Sequence, residues 1–169
     1  ESINKVKKMP TGDFQTILYV EDDDTNWEIT EIALSQKFKL VRASNDEQAF
    51  KRIQENAFAV ILMDIQLAGS DLNGIQITKH LKNIDCEALS DENGELDLKD
   101  TPIIFVTSYG GHYTKQELVA AGGDDLVTKP VDFKRLGSAI ARLIARNLGG
   151  AEEKGDGPEH HVMRATARK

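Results

Sequence analysis

The sequence predicts an α/β fold in which a parallel sheet is covered by helices on both faces. Two observations carry the prediction. Short β-rich runs alternate with stretches of helical periodicity, the pattern of βαβ units. The three clearest runs, 17–20, 57–63 and 102–106, are nearly continuous in apolar residues, as strands become when both faces are buried.

The first strand is 17–20. Thr25 and Glu28 then make the Ser/Thr-x-x-Glu pattern of a capping box, opening a helix whose apolar face is Ile29, Ile32 and Ala33. A weaker strand is expected at 39–42. Ser44 and Glu47 repeat the capping pattern ahead of Ala49, Phe50 and Ile53. After the third strand, 57–63, residues 74–83 carry Ile77, Leu81 and, just beyond, Ile84 at helical spacing. The fourth strand, 102–106, leads to a third capping box, Thr114 and Glu117, and to Leu118, Val119 and Ala120. Gly122 and Gly123 end that helix, because glycine tolerates the left-handed terminal conformation. A weaker fifth strand, 125–128, precedes Asp132, which can cap a last helix with the stripe Phe133, Leu136, Ile140, Leu143 and Ile144. The order is β-α repeated five times.

This pattern occupies 15–148 as one expected domain. Residues 1–14 form a polar lead-in, 85–100 an acidic, enlarged loop before the fourth strand, and 149–169 a Gly-, charge- and His-rich tail expected to be disordered. A chain of 169 residues with 40% hydrophobic and 29% charged residues can fill one core. A net charge of -7 argues against general nucleic-acid binding, since a polyanion demands a basic surface. No apolar run approaches the roughly 20 residues that span a bilayer, and no signal peptide is visible. The single cysteine, Cys86, permits no internal disulfide and fits a reducing, cytoplasmic setting. Because Glu1 is not methionine, the chain fits a processed or excised piece.

Parallel α/β sheets place ligand sites at the carboxyl ends of their strands. Glu21, Asp22, Asp23 and Asp24 come after the first strand, Asp64 after the third, Thr107 and Ser108 after the fourth, and Lys129 and Pro130 after the fifth. Neighbouring strands lie under about 5 Å apart, so these groups can converge. Clustered carboxylates repel one another, and a hard divalent cation such as Mg²⁺ is the natural remedy. A metal, a lysine and a hydroxyl around one carboxylate also suit phosphoryl transfer.

The segments ILYVEDD (17–23), VILMDIQ (60–66), FVTS (105–108) and TKPV (128–131) together resemble the receiver domain of two-component response regulators. The resemblance covers roughly 15–147. It implies a doubly wound, five-stranded (βα)5 flavodoxin-like fold with Asp64 as phosphoacceptor. It implies Mg²⁺ supported by Glu21 and Asp22, with Asp22 the direct ligand of the two, by Asp64, and by the backbone carbonyl of Gln66. Lys129 matches the lysine that grips the phosphoryl group, Pro130 the proline after it, usually cis, and Thr107 the switch hydroxyl. The implied partners are a histidine kinase or histidine phosphotransfer protein upstream and a protein target downstream, with a homodimer possible and neither nucleic acid nor membrane bound.

Several features depart from the family pattern. Leu126 stands where an aromatic residue is common, Ala68 where proline is common, and the stretch from Asp64 to Gly74 is about two residues longer than usual. Gln66 and Tyr109 flank the expected in-line water path, where the family tunes hydrolysis. Blander roles suit other residues: Asp23 and Asp24 as helix-start carboxylates, Trp27 in packing or partner contact, His80 as a solvated surface group, Cys86 as an incidental thiol, and His160 and His161 within the tail. Two alternatives compete with a switch that catalyses only its own phosphorylation and dephosphorylation. A haloacid-dehalogenase-like phosphatase wants a second Asp where Gln66 stands, and a degenerate receiver acting as a constitutive docking module would not need the complete acidic, Thr and Lys set. No output domain comes after the last helix in the sequence, so a stand-alone receiver or one cut from a hybrid kinase is expected.

Overall fold

The computed structural model describes residues 14–84, 98–108 and 112–149. Ten elements alternate: β1 (Gln15–Val20), α1 (Asp24–Leu34), β2 (Phe38–Ala43), α2 (Asp46–Glu55), β3 (Val60–Met63), α3 (Gly74–Lys82), β4 (Ile103–Thr107), α4 (Lys115–Ala120), β5 (Asp125–Thr128) and α5 (Phe133–Leu148). The sheet is parallel throughout, in the order β2-β1-β3-β4-β5. β2 is therefore an edge strand, and β1 and β3 sit side by side.

Side chains alternate across a strand, and here both directions are apolar. Ile17, Tyr19, Val60, Leu62, Ile104 and Val106 meet Leu34 of α1 and Leu136, Ile140 and Leu143 of α5. Leu18, Val20, Ile61, Met63, Ile103 and Phe105 meet Ala49 and Ile53 of α2, Ile77 and Leu81 of α3, and Leu118 of α4. The sheet is thus doubly wound, with two helices on one face and three on the other. Leu126 packs half-buried against the three-helix side.

The structure changes the local reading at several points. β3 begins at Val60 rather than at 57, although the Ala59 N–H already donates to the Thr16 carbonyl at 2.9 Å. α1 is capped by Asp23, which accepts from the Asn26 N–H at 2.7 Å, and not by Thr25. Ile29 and Ile32 are 49% and 76% exposed, and Ala33 is exposed too. The inward side of α1 is instead Thr30 and Leu34, with Trp27 packed at the margin of the same core. Residues 27, 30 and 34 form one helical face, and docking against the sheet and α5 selects it over 29, 32 and 33. The inward Thr30 hydroxyl is satisfied by the Asn26 carbonyl at 2.8 Å. In α2 the cap is Asn45, accepting from the Gln48 N–H, while Ser44 donates to the Gln48 side chain. α4 and α5 start as expected: Thr114 and Glu117 form a capping box, and Asp132 accepts from the Lys134 and Arg135 N–H groups.

Candidate functional site

The carboxyl ends of β1, β3, β4 and β5 carry the acidic, hydroxyl and ammonium groups nominated from the sequence. Backbone bonds hold these ends in register: the Glu21 N–H donates to Ala43, Asp64 to Val20 and Lys129 to Thr107, at 2.9, 3.0 and 3.0 Å. The peptide bond from Lys129 to Pro130 is cis.

Lys129 is the centre of the cluster. Its Nζ donates to Asp64 Oδ2 at 2.8 Å and to Glu21 Oε2 at 2.6 Å. Glu21 is fully buried, Asp64 nearly so, and Thr107 fully buried at the end of β4. Burial pushes the Asp64 carboxyl up to about 6; Lys129 opposes this, and the nearby Glu21 charge adds to it. Burial would lower the Lys129 ammonium, but its hydrogen bonds to Asp64 and Glu21 and their charges outweigh that and hold it above its usual value.

Tyr19 joins the cluster from below. Its ring is buried in the α1/α5 core, and its hydroxyl donates to Glu21 Oε2 at 2.8 Å. Burial, followed by the Glu21 carboxylate, drives that phenol strongly upward, so it remains a donor. Glu21 Oε1 accepts from the Asp23 N–H at 3.1 Å. Glu21 is therefore engaged at both oxygens. Asp22 is more open: its Oδ2 accepts from the Ala68 N–H at 3.1 Å.

Asp22 also lines an open cavity of about 530 Å³ with Gln66, Asn73 and Tyr113, and the Gln66 side chain is exposed there. Among the described residues, Glu21, Asp22 and Asp64 each offer a carboxylate oxygen, and these oxygens lie within 4.8 Å of one another. The donor set is all oxygen and mostly anionic, which fits a hard cation such as Mg²⁺ and not a soft one. Asp22 and Asp64 suit direct contact, whereas Glu21 suits support from behind.

Three features were not legible in the sequence. Tyr19 read only as one apolar position in a strand. Arg42 of β2 donates from Nε to the Glu21 carbonyl at 3.0 Å, from one terminal nitrogen to the Asp22 carbonyl at 2.9 Å, and from the other to Asp24 Oδ1 at 2.7 Å. Its guanidinium stands 5.9 Å from the Trp27 ring centre, and Trp27 lies 6.2 Å from the Tyr19 ring. Gly74 opens α3 directly behind Asp64, where a Cβ would stand 1.9 Å from the Asp64 carbonyl oxygen. His80 is not simply solvated; it is half-buried, with Phe50 edge-on at 6.2 Å. Tyr109, Cys86, His160 and His161 lie outside the described residues, as do 1–13, most of the 85–100 loop and the tail beyond Gly149. No helix of the described residues is long and apolar enough to cross a membrane.

Comparison with known proteins gives a consistent picture. The family profile described as the response regulator receiver domain matches residues 17–141. The transcriptional regulatory protein SrrA of Staphylococcus aureus is 27% identical over 141 residues, which is 83% of this chain and 52% of that protein. The chain thus spans about half the length of the curated relatives it matches. A Chloroflexus aurantiacus protein described as a response regulator superposes with a TM-score of 0.63 at 26% identity, over 79% of this chain and all of that one. The receiver domain of the Pseudomonas aeruginosa sensor histidine kinase PA1611, solved with a magnesium ion in its active-site cleft, superposes with a TM-score of 0.64 at 24% identity, over 79% of this chain and 99% of that one.

Proposed function

The chain belongs to the response regulator receiver domain family, and on that premise we propose that it is a phosphorylation switch whose acceptor is Asp64. The observation that carries this reading is the bridge of one partly buried ammonium, Lys129, between Asp64 and Glu21 beside the open carboxylate of Asp22. A cation held between two carboxylates, with a third beside them lining an open cavity, suits charge that grows during phosphoryl transfer.

The donor is the phosphohistidine of a histidine kinase or a histidine phosphotransfer protein. An ionised Asp64 oxygen attacks the phosphorus in line; the new P–O bond forms as the P–N bond breaks, and the imidazole keeps the electron pair and takes a proton. Lys129, already on Asp64, moves with the transferring group and offsets its oxygens. Glu21 keeps Lys129 aimed, and Tyr19 keeps Glu21 aimed. Mg²⁺ would be held by Asp22, Asp64 and the Gln66 carbonyl, and it supplies further neutralisation of the phosphoryl charge. Thr107 then closes on the phosphoryl oxygens. A ligand shifts such an equilibrium only through contacts that differ between the states, and the Thr107 hydroxyl supplies one. With Leu126 in place of an aromatic ring, the change leaves the site by side-chain packing next to α4. The output is contact with a protein target in the cytoplasm, and the chain turns over no substrate other than its own phosphoryl group.

The test is phosphorylation of Asp64→Asn by a low-molecular-weight phosphodonor with Mg²⁺, followed by intact-mass spectrometry. Wild type gains one phosphoryl group that is labile to base and to hydroxylamine, and the variant gains none. Equal incorporation in the variant, or steady multiple turnover of a chromogenic phosphomonoester by wild type, overturns the reading.

A further inference from the structure

The loop from Glu21 to Asp24 has an unusual support. Sheet pairing on its β2 side ends where the Glu21 N–H meets the Ala43 carbonyl. Beyond that bond β2 turns away into α2, and no strand lies outside it, because β2 is the edge. The carbonyls of Glu21 and Asp22 need partners other than a neighbouring strand. Arg42 supplies both from one planar fork and adds a third bond to Asp24. The guanidinium is also fixed from above. Arg42 pairs with Tyr19 across β1 and β2, and the Trp27 ring contacts both side chains. At 24% exposure, the Arg42 side chain is largely enclosed.

Resting on the metal reading of this site, we propose that Arg42 is a positioning residue: it clamps the Glu21 and Asp22 peptides so that the Asp22 carboxylate is presented to Mg²⁺. The geometry has no lysine equivalent. Two carbonyls and a carboxylate are reached by three separate nitrogens, and a single ammonium cannot reproduce a rigid fork. The outer support of a metal ligand commonly sets affinity by tenfold or more.

The charge of Arg42 makes the proposal testable by sign. A guanidinium beside a cation site repels the cation. If charge alone mattered, Arg42→Met would tighten Mg²⁺ binding and Arg42→Lys would leave it unchanged. If positioning matters, both variants weaken it.

The experiment is a Mg²⁺ titration of the full chain followed by amide NMR shifts of Asp64 and Ala68, for wild type, Arg42→Lys, Arg42→Met and Asp22→Asn. Thermal melts and the amide spectrum far from the site report on folding. We expect both Arg42 variants to bind Mg²⁺ about tenfold more weakly than wild type, with the Ala68 amide shifted before metal is added, because its bond to Asp22 is loosened. Wild-type affinity in Arg42→Lys, or tighter binding in Arg42→Met, overturns the proposal while leaving the metal reading intact. Absence of saturable binding in wild type, or its persistence in Asp22→Asn, overturns the metal reading and the proposal with it.

Discussion

Gly74 offers the sharpest structural prediction. A Cβ at this position would stand 1.9 Å from the Asp64 carbonyl oxygen, 2.8 Å from its carbonyl carbon and 2.9 Å from Met63 Cγ. Ordinary contact begins near 3.4 Å, so Gly74→Ala requires a relative displacement of about 1.5 Å. The obstacle is backbone and cannot rotate away. The peptide that must move is tied on both sides: the Asp64 N–H donates to Val20, and the Gly74 N–H donates to Ile65 at 2.8 Å. Overpacking of this kind costs about 1–3 kcal/mol. The helix preference of alanine returns at most about 1 kcal/mol, and less at the first turn. A net loss of about 2 kcal/mol is expected, or roughly 5–10 °C in Tm for a domain of this size. The larger effect falls on chemistry, because a misplacement of about 1 Å at a reacting group can cost on the order of 100-fold in rate. Urea unfolding measures the first quantity, and initial rates with a small phosphodonor measure the second. A Gly74→Ala chain with wild-type stability and a phosphorylation rate within twofold of wild type would refute the claimed contact.

The same geometry makes two further predictions. Asp64 in the metal-free fold is held up to about 6, above its ordinary 3.8, so the folded state keeps a proton that the unfolded chain releases; its share of stability is full below about pH 4 and is lost as pH rises through 6. Asp64→Asn should therefore stabilise the chain in EDTA by about 3 kcal/mol at pH 8, with the gain vanishing near pH 4, and denaturant titrations at both pH values that show no such divergence would sink the argument. The inward face assigned to α1 predicts that Leu34→Ala costs about 2–5 kcal/mol, whereas Ile32→Glu, at 76% exposure, stays within about 0.5 kcal/mol; thermal melts with the order reversed would restore the face read from periodicity.

Much of this protein is written locally. A strand buried on both faces leaves a continuous apolar run, so 17–20, 57–63 and 102–106 stand out in the sequence, and the polar residues just after each run stand at the sheet's carboxyl edge. That is why Glu21, Asp22, Asp64, Thr107 and Lys129 could be nominated before any coordinates, and why the caps at Thr114 and Asp132 were legible within one turn of chain. Tertiary structure decided the features that depend on partners far along the chain. Whether Ile32 or Leu34 faces inward depends on where α1 lies against the sheet and α5, and both faces of that helix carry apolar residues. The 2.6 Å contact from Lys129 to Glu21 joins residues 108 positions apart. The Tyr19 hydroxyl under Glu21, the Arg42 fork across the loop carbonyls and the bare glycine behind Asp64 leave no local pattern either. Period and spacing determine which residues reach the site, while packing and hydrogen bonding between distant segments determine how each of them is held there.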